Sequence, residues 1–275
     1  MTRCSRSQAV MPYSYQWLDV PWGDGDLGTY NAESLHYIQS GGYNANLVTI
    51  DHVTPLHEAC LGDHVACARA LIEAGANVNA TTIDGVTPLF NACSAGSATC
   101  TEVLLEHGAN PQPEPCQPSP IHEASSKGRT ACVEALISWG ADVDYDIPHL
   151  GTPLYIACAS RELQCTRKLL DGGANVQKGR FLDTPLHAAA QKDCPEILNV
   201  LLEFGANINA RNLELQKAVE TAPPSSRAEC LLLHHEAFSS EDTLVVVVTT
   251  RNFLQINSRG RGLEYGSGGS AVGLG

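Results

Sequence analysis

Residues 54–59 read Thr-Pro-Leu-His-Glu-Ala, and close copies of this phrase begin at four further positions in the chain. Successive copies start 33, 32, 33 and 32 residues apart, and a Gly-Ala pair follows each copy 21 residues after its first residue. Repetition at a fixed period of this length is typical of architectures in which similar units stack on one another. The phrase begins at Thr54, Thr87, Ser119, Thr152 and Thr184, and the pairs begin at Gly75, Gly108, Gly140, Gly173 and Gly205.

The opening residues of each copy predict the start of a short helix. Thr or Ser is a favourable N-cap, and Pro is tolerated at the first helical position, where its missing N–H needs no partner. Leu56 and Ala59 are three residues apart and share one face of that helix. Gly96 and Gly128 predict left-handed turns between two helices, and Gly75 predicts the end of the second. Each unit is thus a helix–turn–helix with a projecting loop, and it buries its apolar face only by stacking on its neighbours.

The repeats predict an all-α solenoid whose first and last units are degenerate. The array is expected to span 31–237, with full repeats starting near residues 54, 87, 119, 152 and 184. A terminal cap is expected at 217–237, where Lys217-Ala218-Val219 stands in place of Thr-Pro-Leu. Residues 1–30 are expected to form an irregular N-terminal segment. Residues 238–275, which contain seven glycines, are expected to form an unordered tail.

Composition and charge exclude several classes of partner. Of the 275 residues, 43% are hydrophobic, which is ample for a packed core, and the formal net charge is −13. That charge argues against binding to nucleic acid or to anionic membranes, because both need a cationic surface. No apolar run approaches the roughly 18–20 residues that cross a bilayer, and the N-terminus lacks the apolar segment of a secretory signal. The chain is therefore expected to be soluble and intracellular.

Cysteine placement follows the repeat. Eight of the eleven cysteines fall at one of two fixed positions in the motif register. A role as small core residues is therefore favoured over a zinc site and over a disulfide framework. Reduced, buried thiols indicate a cytoplasmic compartment, with a nuclear one as the alternative. Cys67, Cys100, Cys132, Cys165 and Cys230 lie thirteen residues after a motif start, and Cys60, Cys93 and Cys158 lie six after it.

Histidines occupy one motif position in three repeats, at His57, His122 and His187. Phe90 and Tyr155 take the same position in the other two repeats. Because Phe and Tyr cannot replace His in catalysis or in metal binding, packing and hydrogen bonding at the helix start are the favoured role. The chain also contains no nucleophile elbow, phosphate-binding loop or metalloprotease motif. We therefore expect no catalytic residues, no metal and no cofactor.

The period and the Thr-Pro-Leu-His-x-Ala phrase are those of ankyrin repeats, and the resemblance covers about residues 43–237. The wording within the repeats is more specific, and on it the chain is identified as a member of the ankyrin repeat and SOCS box family, in the branch with about six repeats. The phrases that carry this resemblance are DHVTPLHEACLGDHVAC at 51–67, GVTPLFNAC at 85–93, SPIHEA at 119–124 and HLGTPLY at 149–155.

The family resemblance implies a protein-binding adaptor. In that family the ankyrin array captures a protein substrate, and a C-terminal box recruits Elongin B/C and a cullin scaffold, so that the substrate is ubiquitinated. The box carries a Leu- and Cys-containing helix and a Leu-Pro-x-Pro segment, whereas residues 238–275 contain neither Cys nor Pro. Two functions follow. The chain is either the substrate-recognition component of such a ligase or a box-less form that binds substrate as a scaffold or competitor.

Partner binding is expected to use the loops between repeats and the adjoining first helices, because loops at the edge of a solenoid vary while the core register is fixed. For each single residue, an ordinary solvated surface position is the alternative, since few residues dominate an interface. The candidate residues are Glu58, Asn91 and Glu123 on first helices, and Thr82, Asp84, Tyr145, His149, Arg180 and Phe181 in loops.

Two asparagines are candidates for modification. Ankyrin repeats as a class are hydroxylated on the asparagine of a Val-Asn or Ile-Asn pair, which here matches Asn79 and Asn209. The alternative is that each side chain only satisfies backbone groups in its own turn.

Overall fold

A computed structural model describes residues 44–112 and 118–239, and this part of the chain forms twelve helices. The predicted segment at 1–30, the start of the array before residue 44 and the predicted tail beyond residue 239 lie outside the described residues. The helices are α1 (Pro55–Leu61), α2 (Val65–Glu73), α3 (Pro88–Ala95), α4 (Ala98–Glu106), α5 (Pro120–Ser126), α6 (Thr130–Ser138), α7 (Pro153–Ala159), α8 (Leu163–Asp171), α9 (Pro185–Gln191), α10 (Pro195–Glu203), α11 (Ala218–Thr221) and α12 (Arg227–Ser239).

Each first helix of the five full repeats begins at the proline of the motif, as the sequence predicts. The backbone N–H of Phe90 donates to Thr87 Oγ1 at 3.2 Å, and that of Tyr155 donates to Thr152 Oγ1 at 3.3 Å. These bonds satisfy N–H groups that have no partner within the helix. The motif thus sets where each first helix starts through residues of its own repeat.

The turn between the two helices of a unit is left-handed in all five full repeats. Gly96 and Gly128 have φ values of +85° and +69°, as predicted. Asp63, Arg161 and Asp193 adopt the same conformation, with φ values of 57°, 66° and 52°. The repeat geometry therefore imposes a positive φ at this position even where the residue is not glycine.

The helices stack in two rows, first helices against first helices and second helices against second helices. The core lies between the rows as one continuous cluster that runs from Ala45 to Leu232. The apolar residue after the motif proline is fully buried in every full repeat. The predicted all-α solenoid of stacked helix–turn–helix units is confirmed. These residues are Leu56, Leu89, Ile121, Leu154 and Leu186.

All nine described cysteines are free thiols, and eight of them are buried. Seven of the eight cysteines predicted to fill core positions do so, and the buried Cys194 adds one that the register does not foresee. Among the described residues, no three His, Cys, Asp or Glu side chains lie close enough together to share a metal ion. The seven confirmed core cysteines are Cys60, Cys67, Cys93, Cys100, Cys132, Cys158 and Cys165.

The core prediction is wrong for Cys230, which is exposed. In the full repeats the left-handed residue lies nine positions after the motif start, but in the last unit it is Ser225, eight positions after Lys217. Helix α12 also departs from the pattern of buried positions that the second helices of the full repeats share. It buries Ala228 and Leu232 and turns Cys230 towards solvent.

The motif histidines join each repeat to the next. The backbone N–H of Thr54 donates to His57 Nδ1 at 3.1 Å, so Nε2 carries the proton and donates to the carbonyl of Val86 at 3.0 Å. His187 makes the same pair of bonds, with Thr184 and with the carbonyl of Gln216. The predicted packing and hydrogen-bonding role is confirmed, and the carbonyl that accepts from the histidine ring belongs in each case to the residue before the next motif.

Their burial makes these histidines sensitive to pH. Burial lowers the pKa of His57 and of His122 below the ordinary value of 6.5. The folded protein therefore keeps both rings neutral, and below about pH 6.5 the unfolded chain binds more protons than the folded one. The free energy of unfolding should accordingly fall as the pH drops from about 7.5 to about 5.5.

We expect the double variant His57→Phe/His122→Tyr to show a shallower dependence of unfolding free energy on pH. Phe and Tyr already occupy this position in two other repeats and do not titrate in the range. Urea denaturation at several pH values measures the slope. The exposed His149 provides the control, and His149→Phe should keep the slope of the unaltered protein. An equal slope in the double variant would contradict the assignment.

Candidate partner-binding face

The loops between repeats end in tight turns, which we call the finger turns and define as 49–53, 82–86, 147–151, 180–183 and 212–216. In each, the N–H of the first residue donates to the carbonyl of the last, at 2.9–3.2 Å. Neighbouring fingers also touch, since the N–H of Ile83 donates to the carbonyl of Asp51 at 3.1 Å. The loops are therefore shaped by backbone hydrogen bonds, and they project as a row along one edge of the solenoid.

Phe181, like Leu215, combines a left-handed backbone with solvent exposure. It lies at the tip of the shortest turn with φ +55°, a left-handed conformation that is costly for a bulky residue, and its exposed fraction is 68%. Burial of its ring does not compensate for this strain. A strained, exposed aromatic residue at a loop tip favours a role in contacting a partner.

The candidate residues divide by exposure. Glu58, Asp84, His149 and Phe181 are exposed, and the remaining five are half-buried. The half-buried candidates are Thr82, Asn91, Glu123, Tyr145 and Arg180.

Polar bonds within the array hold three of the half-buried candidates. Asn91 Nδ2 donates to the carbonyl of His57 at 3.2 Å, and Thr82 Oγ1 accepts from the backbone N–H of Val86 at 3.1 Å. Glu123 accepts from Lys127 Nζ at 2.8 Å. These side chains shape the first helices and the fingers before any partner is present.

Aromatic contacts hold the other two. The ring of Tyr145 meets the buried His122 edge-on, with 6.1 Å between ring centroids. The guanidinium of Arg180 stacks over the ring of Tyr155, 5.4 Å from its centroid. Exposure therefore favours Glu58, Asp84, His149 and Phe181 for direct contact with a partner.

Asn79 bridges two repeats, a contact that the sequence pattern does not predict. Its Nδ2 donates to the carbonyl of Gly108 at 3.0 Å, and its Oδ1 accepts from the N–H of Asn110 at 2.8 Å. Its own backbone N–H donates to Asn77 Oδ1, as the N–H of Asn209 does to Asn207 Oδ1. The bonds of the Asn79 side chain thus reach the next repeat, not only its own turn.

The same bridge recurs at one position per repeat, and its signal in the sequence is a polar residue with the repeat period. The residues whose side chains bridge in this way are Asn46, Asn79, Gln112, Asp144 and Gln177.

Thiol contacts join repeats inside the core. A hydrogen bond from Cys60 lowers the pKa of Cys100 to about 7, and one from Cys93 lowers the pKa of Cys132. The same bonds, together with burial, raise the pKa of Cys60 and of Cys93. Since all four thiols are buried, they act as contacts between neighbouring repeats.

Together, the fold and the row of fingers define an ankyrin-repeat protein. The family model for ankyrin repeats (3 copies) matches residues 28–115, 78–147 and 121–212. Among solved structures, the fold is similar to the human ASB11 ankyrin repeat domain, with a TM-score of 0.69 and 47% identity over 73% of this chain and 96% of that one. It is also similar to the ankyrin repeat domain of Bcl-3, with a TM-score of 0.61 and 26% identity over 72% of this chain and 90% of that one.

Sequence relatives give a narrower assignment. The chain is 65% identical over 221 residues to Ankyrin repeat and SOCS box protein 5 of Bos taurus, an alignment that covers 80% of this chain and 67% of the relative. Identity to the Homo sapiens protein 5 is 65% over 207 residues, or 75% of this chain and 63% of the relative. The chain belongs to the ankyrin repeat and SOCS box family, and its alignments span about two thirds of these relatives.

The strain at Phe181 gives a test of the finger geometry. Replacing Phe181 by Gly removes a left-handed penalty of about 1–2 kcal/mol. Part of that gain is offset by the greater entropy of the unfolded chain, about 0.4–1 kcal/mol. We expect Phe181→Gly to raise the free energy of unfolding, measured by urea denaturation. The matched control is Leu182→Gly, an exposed neighbour without a positive φ, which should lower it. Equal destabilisation by both variants would contradict the assignment of backbone strain to Phe181.

Proposed function

We propose that this chain is a protein-binding ankyrin adaptor and that its array is the substrate-recognition module of an Elongin B/C–cullin type ubiquitin ligase. The observation that carries the proposal is the 65% identity to Ankyrin repeat and SOCS box protein 5 over 80% of the chain. The array holds the substrate and performs no chemistry on it, and neither a metal nor a cofactor takes part. The proposed compartment is the cytoplasm, with the nucleus as the alternative.

The proposed substrate surface is the row of finger turns with the adjoining first helices. Two features support it. The fingers are fixed by backbone hydrogen bonds, so binding orders few residues. Glu58, Asp84, His149 and Phe181 are exposed along this surface. The half-buried candidates Asn91 and Glu123 contribute by holding the first helices in place.

A second candidate function is that of a scaffold or competitor that binds substrate without ubiquitinating it. The observation that favours it is the sequence of residues 238–275, which contains neither the Cys nor the Pro of the family's box. Both candidates use the array in the same way. They differ only in the recruitment of Elongin B/C.

Co-precipitation of Elongin C with residues 1–275 separates the two candidates. Given the composition of 238–275, we expect none with the unaltered chain. A chimera that carries, after residue 239, the C-terminal region of human Ankyrin repeat and SOCS box protein 5 should co-precipitate Elongin C. Elongin C on the unaltered chain would contradict the competitor and assign ligase recruitment to this chain. Failure of a folded chimera would contradict the ligase proposal.

Hydroxylation of Asn79 and Asn209 is also proposed. Asn79 is exposed at the end of its repeat and follows a valine. Peptide mass spectrometry of the protein from cells should show one added oxygen on Asn79 and on Asn209. Asn46 is a matched control, because its side chain makes the same bridge but follows Ala45. Equal oxidation of Asn46, or no modified Asn79 in any tissue, would contradict this proposal.

A further inference from the structure

The finger turns carry most of the exposed apolar side chains of the described residues. Seven of the thirteen exposed large hydrophobic residues lie in the finger turns, and Ile50 reaches an exposed fraction of 90%. Exposed apolar residues concentrated on one set of loops favour an interaction site. The finger residues concerned are Ile50, Ile83, Leu150, Phe181, Leu182, Leu213 and Leu215.

A carboxylate accompanies the apolar tip in each described finger. Asp51 follows Ile50, Asp84 follows Ile83, and Glu214 lies between two exposed leucines. Asp146 adjoins the finger of Leu150, and Asp183 closes the finger of Phe181. All except the half-buried Asp183 are exposed. The five described fingers therefore repeat one chemical pattern, an apolar side chain with an acid in the turn or next to it.

The basic side chains in these fingers or next to them already have partners within the array. Lys178 Nζ donates to the carbonyl of Asp144 at 2.7 Å. The guanidinium of Arg180 stacks on the ring of Tyr155, and that of Arg211 donates to the carbonyl of Leu215. The ion pairs among the described residues include none of the four exposed finger acids. These acids are Asp51, Asp84, Asp146 and Glu214.

Exposed apolar residues outside the finger turns are arranged differently. Large ones such as Trp139 and Phe204 each stand alone at the end of a second helix. They are not linked to one another by backbone bonds, as Ile83 is to Asp51 in neighbouring fingers. The fingers are therefore the surface on which apolar and acidic groups form one ordered row.

We propose that the row of finger turns docks a segment of a partner protein in which apolar side chains alternate with Lys or Arg. This inference rests on the proposed function and names the chemistry of its substrate surface. Apolar tips lose water on contact, and the uncompensated acids select basic neighbours and repel acidic ones. The same acids repel the phosphates of nucleic acid and of anionic lipid, so the partner is a protein.

Selection of a random peptide library on phage against residues 1–275 tests whether the fingers prefer apolar residues combined with Lys or Arg. The enriched peptides should combine apolar residues with Lys or Arg. One enriched peptide, labelled with a fluorophore, then serves as the probe for polarisation titrations. The variants Asp51→Asn/Asp84→Asn/Asp146→Asn and Ile83→Ser/Phe181→Gly should each weaken its binding about tenfold or more. Higher salt should weaken binding of the peptide to the unaltered protein and have little effect on its binding to the charge variant.

The matched control is Glu73→Gln/Glu106→Gln/Asp171→Asn, which removes as many exposed acids from the ends of second helices. This variant should keep the affinity within about twofold, since its three acids lie outside the finger turns. Enrichment of acidic or uncharged peptides, no enrichment, or equal loss in the control would overturn the proposal. Such a result leaves Elongin C capture by the chimera unchanged, so the two proposals fail separately.

Discussion

Stacking of neighbouring helix pairs is the interaction on which every other feature of this protein depends. The helices of the five full repeats are only seven to nine residues long. Isolated helices shorter than about 12–15 residues are marginal in water. Each helix therefore persists because an apolar residue such as Leu56 or Leu154 is fully buried against its own unit and the next. The chain folds as a row of mutually dependent units.

Polar contacts between repeats set the geometry of that row. His57 donates to the carbonyl before the next motif, and Asn79, in the loop after one second helix, donates to the carbonyl of Gly108 after the next second helix. Both side chains bond to backbone groups, so they hold one register between neighbours whatever the neighbouring side chains are. Because the bonded carbonyl of Val86 ends a finger, the contact that aligns the repeats also positions the candidate binding surface.

The composition of the binding surface follows from the different constraints on the helices and on the fingers. Burial restricts the helices to small and apolar residues, whereas the fingers carry their own backbone hydrogen bonds and place few demands on side chains. Their tips can therefore hold residues that a core would not accept, such as the exposed Ile83 beside Asp84 and the strained Phe181. Surfaces of this kind change partners without changing the fold.

The repeat, the helix starts, the left-handed glycines and the core positions of seven cysteines are predictable from the sequence, because they depend on neighbours within one unit. The groups that meet across units, such as Asn79 with Gly108 or Arg180 with Tyr155, become visible only in the folded array. The exposure of Cys230 is likewise visible only there, because the last helix buries Ala228 and Leu232 instead. Contacts between residues about thirty positions apart depend on how the units are stacked, and a local pattern does not contain that information.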